Sequence, residues 1–264
     1  MGEVFVVTSG KGGVGKTTTT ANIGTGLAAL GNKVVLVDTD IGLRNLDVVL
    51  GLENRIVFDI VDVVEGNCRM RQALIRDKRI DGLHLLPAAQ TKDKSAVVPE
   101  QMVTLCQELK NEFDYVIIDC PAGIEQGFRN AIAGAEKAIV ITTPEVSAVR
   151  DADRIIGLLE AAELREPRLV INRIRHEMVK QGEMMGIDDI IDILAVSLLG
   201  IIPEDEMIVI TTNRGEAVVL DQNSRSGQAY RNIVRRITGE EVPIMDLEEK
   251  KGLFSKIKNI IGLR

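Results

Sequence analysis

The chain has 264 residues, of which 45% are hydrophobic and 27% charged, with no Trp and a formal net charge of −7; this suits one large α/β domain with an appended segment and argues against a broadly basic surface devoted to nucleic acid. Its cysteines, Cys68, Cys106 and Cys120, lack C-x-x-C spacing, which argues against a disulfide framework or a zinc site. No basic-then-apolar leader and no window of roughly 18 apolar residues is present, so the expectation is a reduced cytosolic protein, neither exported nor integral.

In chain order, short β-branched runs read "VFVVTS", "KVVLVD", "LHLLP", "DYVIID", "KAIVITT", "RLVIN" and "LLGIIP". Their near-continuous apolar character suits strands covered on both faces. Helical patterns fall between them at residues 16–30, 99–112, 147–163 and 224–237. Alternating strand and helix predicts a doubly wound, mostly parallel α/β sheet flanked by helices. In such a fold the functional loops lie at the carboxyl ends of the strands. Six stretches follow: Gly10 to Thr17, Asp38 to Asp40, Asp119 to Gly123, Thr142 to Glu145, Asn172 to Arg173 and Pro203 to Asp205.

The first of these carries the strongest signal. "GKGGVGKT" fits G-x-x-x-x-G-K-[ST] between a predicted strand and a predicted helix. Its glycines let backbone amides turn toward phosphates, and the helix aims its positive end at them. Gly10, Lys11, Gly12, Gly13, Val14, Gly15, Lys16, Thr17 and Thr18 are the candidate nucleotide loop, with Lys16 on the β- and γ-phosphates and the Thr17 hydroxyl on Mg²⁺. Asp119 ends its strand where a P-loop protein holds the metal through water, although a carboxylate there equally suits a helix cap. Asp38 and Asp40 point two carboxylates at the same sheet edge, one to orient an attacking water and the other for the metal shell. Lys11 is surplus to the pattern, either a second phosphate ligand or an exposed lysine without a role.

The chain closes on "KKGLFSKIKNIIGLR", which holds five basic residues and no acid. On a helix Leu253, Phe254, Ile257, Ile260 and Ile261 fall within an arc of roughly 120°, with Lys256 and Lys258 outside it. Such a basic amphipathic helix suits an anionic membrane interface or docking on the body or a partner. The boundary is placed so that residues 1–245 form the P-loop domain and residues 246–264 form a linker and this helix.

"KGGVGKT" resembles the deviant Walker A loop of the MinD/ParA family of P-loop ATPases. "DTDIGLRNLDVVLGLE", "LPAAQTKDK", "DCPAGIE", "TTPEVSAVRDADRIIG" and "GIIPEDE" are similar to its MinD branch. That resemblance implies that ATP/ADP and Mg²⁺ bind, that an ATP-dependent homodimer forms, and that Lys11 contacts phosphates held by the other subunit. It places Asp40 in switch I and Asp119 to Gly123 in switch II, with Asn172, Arg173, Pro203, Glu204 and Asp205 beside the adenine. Glu145, Ser147 and Asp151 are the candidate receivers of Lys11, within the subunit or across the dimer. It also implies a C-terminal membrane-targeting helix on anionic lipids, formed by Leu253, Phe254, Lys256, Ile257, Lys258, Ile260 and Ile261. The implied partners are the division inhibitor MinC and a topological regulator, MinE or an alternative system, without specific nucleic acid. The location would be the cytoplasm and, reversibly, the inner membrane face. A flagellar-placement ATPase, a ParA-type segregation ATPase and a scaffold that binds nucleotide without hydrolysing it are the competing readings.

Overall fold

The computed structural model describes residues 2–246; the segment containing Leu253 to Ile261 lies outside the described residues. The seven apolar runs form β1 (Glu3–Thr8), β2 (Val34–Asp38), β4 (Leu83–Leu86), β5 (Tyr115–Asp119), β6 (Lys137–Thr142), β7 (Arg168–Ile174) and β8 (Ser197–Pro203). With the two-residue strand β3 (Ile75–Arg76) they lie in one sheet of order β3-β4-β2-β5-β1-β6-β7-β8. Every described pairing is parallel except that of β3 (Ile75–Arg76) with β4. Two residues are too few to announce a strand by periodicity, so β3 is not visible in the sequence.

Side chains alternate across the pleat. Val4, Val6, Val35, Val37, Val116 and Ile118 face one core layer, and Phe5, Val7, Leu36 and Ile117 face the other. The first layer is closed by helices Pro99–Glu112 and Val146–Ala161, through Met102, Leu105, Ile155 and Leu159; the second by Lys16–Ala29 and Arg225–Ile237, through Ile23, Leu27, Tyr230 and Ile233. Each such fully buried aliphatic side chain contributes about 1.5–3 kcal/mol, which is why unbroken apolar strands specify this two-sided burial.

These four helices match the expected ones to within two residues at each end. Shorter helices at Ile60–Val64, Gln126–Ala133, Ile187–Leu194 and Glu206–Thr212 span too few turns to stand out as a repeat. Among the described residues no helix is long and apolar enough to cross a membrane.

The chain leaves β1 through Lys16–Ala29 to reach β2 on one side, whereas β5 connects to β6 on the other side. β1 therefore marks the topological switch point, and the crevice above its carboxyl end is where such sheets bind ligands.

Candidate functional site

Gly10 to Thr17 occupy that crevice. Gly13 and Gly15 have φ of +79° and +98°, a region that L side chains enter only at a cost. Space also demands glycine: a Cβ at Gly10 would fall 2.2 Å from the Asp151 carbonyl oxygen, and one at Gly15 would fall 2.4 Å from Asn172 Nδ2. Gly15 caps helix Lys16–Ala29 without a side-chain hydrogen bond, and the first turn holds no acid. The amides and the positive end of the helix are thus left for an anion. Lys16 is 8% exposed beneath the loop.

Asn172 holds the loop from the far side. β7 breaks register between Ile171 and Ile174, and Arg173 takes φ +57°; irregularities of this kind re-aim side chains next to sites. Here Asn172 Nδ2 donates to the Val14 carbonyl at 2.8 Å.

Asp38 and Asp119 end adjacent parallel strands as register partners, 1% and 3% exposed. Asp38 accepts the backbone amides of Asp40 (2.9 Å), Asn45 (3.2 Å) and Leu46 (3.2 Å), so its carboxylate fixes the loop that carries Asp40. Asp119 accepts the Thr20 hydroxyl at 3.1 Å, while the Thr39 hydroxyl donates to its carbonyl at 2.6 Å. Burial raises the pKa of both acids; the Asp119 charge adds to the rise at Asp38, and Thr17, Lys16 and Thr20 oppose it at Asp119. The three oxygen-bearing groups Thr17, Asp40 and Asp119 suit a hard cation. No group of three or more His, Cys, Asp or Glu that could by itself hold a metal ion exists among the described residues. An ion here would complete its shell with water and phosphate oxygens, as Mg²⁺ does. Cys120, next to Asp119, is fully buried with its thiol pushed up to about 12 by that burial, which makes it a packing residue.

Lys11 stands apart from the nest. Its Nζ donates to Glu145 Oε2 at 3.0 Å and to Ser147 Oγ at 3.1 Å, with side chains of Lys11 and Glu145 41% and 59% exposed. The Lys11 hydrogen bond and charge hold the Glu145 carboxyl below its ordinary value. Asp151 contributes its main chain against Gly10, not a partner for Lys11.

On the opposite flank Asp205 caps helix Glu206–Thr212 through Met207 N at 2.9 Å. It also accepts Ser224 Oγ at 2.9 Å, Ser226 Oγ at 2.8 Å and Ser226 N at 3.1 Å. Burial pushes this carboxyl up, and the hydrogen bonds outweigh it, leaving the pKa lowered. Glu204 is ion-paired with Arg175. Sequence reasoning missed Thr20, Thr39, Ser224 and Ser226; only the threonine run after Lys16 hinted at the first.

A family model described as the CobQ/CobB/MinD/ParA nucleotide binding domain matches residues 5–218. The chain is 63% identical over 267 residues to septum site-determining protein MinD of Bacillus subtilis (strain 168), with 100% of each chain covered. Among solved structures, the MinC:MinD cell division protein complex of Aquifex aeolicus contains a chain 52% identical at TM-score 0.87, covering 92% of this chain and 99% of that one. The septum site-determining protein MinD of Pyrococcus horikoshii OT3, complexed with Mg-ADP, is 30% identical at TM-score 0.83, covering 90% and 97%.

Proposed function

The chain belongs to the MinD group of septum-site-determining proteins within the MinD/ParA nucleotide-binding family, and from that premise we propose that it is an ATP-hydrolysing switch that pairs on ATP, attaches to the membrane and presents a division inhibitor there. The observation that carries this reading is the position of Lys11: a part-exposed cation turned to Glu145 and Ser147, where solvent, and so a second subunit, has access to it.

The chain's own groups divide the work. The loop amides and Lys16 bind the β- and γ-phosphates, and Asn172 keeps the loop in shape through Val14. Asp38 holds the Asp40 amide, and Asp40 orients the attacking water. Lys11 of one subunit leaves Glu145 and reaches the phosphates of the other, stabilising the charge that develops in the transition state. Thr17, Asp40 and, through water, Asp119 would hold Mg²⁺, which would supply charge neutralisation at the phosphate oxygens. Asn172, Arg173 and Pro203 to Asp205 border the adenine, with Asp205 locked by Ser224 and Ser226.

Membrane attachment follows from magnitude. The five basic residues of the tail contribute about 1 kcal/mol each near an anionic surface, and ordering so short a helix offsets much of this. One tail binds weakly, while two tails on one dimer gain strongly from effective concentration. Complex formation in the Aquifex aeolicus relative supports a MinC-type inhibitor as partner.

The test is sedimentation with anionic liposomes under ATP and ADP, comparing the intact chain with one ending at Glu249 and with duplex DNA in parallel. ATP-dependent, tail-dependent pelleting is the expected result. Pelleting without the tail, or binding to DNA instead, would overturn the reading.

A further inference from the structure

Three segments of the site converge on Asp119. From helix Lys16–Ala29 the Thr20 hydroxyl donates to Asp119 Oδ1 at 3.1 Å. From the loop after β2, Thr39 reaches the carbonyl of the same residue twice: its amide donates at 3.2 Å and its hydroxyl at 2.6 Å. The amide bond extends the β2–β5 ladder by one step beyond the register pair Asp38 and Asp119. The hydroxyl bond is additional, and it is buried, with Thr39 only 6% exposed. A carbonyl oxygen has two lone pairs, and here one residue takes both.

The residue that Thr39 leads into explains the use of that bond. The Asp40 amide is on Asp38 Oδ1 at 2.9 Å, and the Ile41 amide turns back to the Thr39 carbonyl at 3.0 Å. Asp40 therefore leaves the sheet on a tight turn rooted at Thr39. Beyond Asp119 the chain runs through Pro121 to helix Gln126–Ala133, where a Cβ at Gly127 would fall 2.7 Å from Pro121 Cγ. Thr39, Gly127 and Asn130 line one cavity of about 10 Å³. The segment bearing Asp40 and the segment that begins at Asp119 thus meet at the same threonine.

We propose that Thr39 is a positioning residue for ATP hydrolysis: its hydroxyl clamps the Asp40 loop to the Asp119 main chain and so fixes the spacing of the two carboxylates at the reacting phosphate. The inference rests on the switch reading above and deepens it. Thr39 acts through Asp40 and Asp119. Both its donors go to Asp119, so the loop amides and Lys16 that grip the nucleotide do not depend on it. A misplacement of about 1 Å in such a constellation costs about 10² in rate. Without the hydroxyl, the Asp119 carbonyl keeps the amide of residue 39, and no buried polar group is orphaned. Rate and fold are therefore separable at this position.

Thr39→Val exchanges the hydroxyl for a methyl and keeps the β-branch; Thr39→Ala removes the hydroxyl without added bulk, and Thr39→Ser restores it. In the full chain, with anionic vesicles and saturating Mg-ATP, the valine and alanine variants should lower kcat for phosphate release by about 10- to 100-fold. Their KM for ATP and calorimetric affinity for ADP should stay within about two-fold of the parent, and the serine variant should recover most of the lost rate. The ATP dimer of Thr39→Val, followed by light scattering, should form and outlast that of the parent. With ADP bound, amide hydrogen exchange should quicken at residues 40–46 in the valine variant and stay unchanged at residues 10–18. Melting temperatures close to that of the parent show that the fold is kept. The positioning role is overturned by an unchanged kcat in Thr39→Val and Thr39→Ala, by a loss of ADP affinity as large as the loss of kcat, by a valine variant that cannot pair, or by a serine variant no faster than the valine one. If the parent itself neither hydrolyses ATP nor pairs, the switch reading fails and exchange alone decides the clamp. Faster exchange at residues 40–46 with valine but not with serine upholds it, and exchange equal to that of the parent in both overturns it.

Discussion

Lys11→Ala separates the energetics of the fold from those of the switch. In the single subunit Lys11 makes one ion pair and one hydroxyl contact, both at the surface with side chains 41% and 59% exposed. An exposed pair of this kind contributes about 0–1 kcal/mol. For a chain of this size that corresponds to a shift in Tm of no more than about 4 °C. A cation supplied across a dimer to a phosphoryl transition state is instead worth about 10³–10⁵ in kcat, or roughly 4–7 kcal/mol of barrier. The variant should therefore melt almost where the parent does yet show no ATP-dependent dimer by light scattering and no phosphate release above background. Glu145→Ala removes only the resting partner and should leave hydrolysis in place. The reasoning is refuted if Lys11→Ala hydrolyses ATP within ten-fold of the parent, or if it melts far below it.

Gly15→Ala should lower Tm and weaken nucleotide binding together, because φ +98° costs an L residue about 1–2 kcal/mol and the new methyl, 2.4 Å from Asn172 Nδ2, breaks a hydrogen bond worth about 0.5–1.5 kcal/mol; calorimetry with and without ADP measures both. Asp205→Ala strips the cap of helix Glu206–Thr212 and leaves Ser224 and Ser226 without their acceptor, at a cost of about 2–3 kcal/mol. It should raise KM for ATP more than it lowers kcat. The pH dependence of the nucleotide-free protein has an unusual sign. Asp38 and Asp119 have folded pKa values raised by burial, so the folded form binds protons more tightly, and their contribution to stability grows as pH falls from neutrality toward the ordinary carboxylate range. The melting temperature of the parent relative to Asp38→Asn should rise on going from about pH 8 to about pH 5.5; a difference independent of pH would refute the assignment.

The seven long strands, four long helices and the phosphate loop are legible because each is written in local chemistry: unbroken apolar runs, 3.6-residue periodicity, and glycines spaced around Lys16. The rest depends on residues distant in sequence. Nothing near Asp38 says that its carboxylate is spent on the amides of Asp40, Asn45 and Leu46; that division between the two acids of "DTD" emerges only when the loop running on to Leu46 is folded. From the sequence Glu145, Ser147 and Asp151 are all candidates for Lys11, although helix capping explains Ser147 and Asp151 nearly as well. The helix then turns the first two toward it, while the Asp151 main chain packs against Gly10. The Asp205–Ser224–Ser226 network joins positions about twenty residues apart through hydroxyls that any turn could contain.

Two packed helices, Lys16–Ala29 and Arg225–Ile237, lie between the nucleotide loop and the end of the described chain. Helix Lys16–Ala29 meets Arg225–Ile237 where Thr19 and Tyr230 hydroxyls lie 3.2 Å apart, and Asp205 pins the start of the latter. Tyr230 and Ile233 are fully buried, and a Cβ at Gly26 would fall 2.7 Å from Val234. An element packed this closely moves only between discrete arrangements, and a sliding signal from phosphate to residue 246 would have to break that interlock. Subunit pairing needs no such movement, because bringing two tails together raises avidity by about 10²–10⁴ without any new contact within a subunit. An N-terminal leucine zipper fused to Lys16→Ala should therefore restore binding to anionic vesicles in the absence of ATP, measured by sedimentation, and lose it again when the chain ends at Glu249. Failure of the zipper dimer to bind, with folded subunits and intact tails, would return the signal to the interior of the subunit.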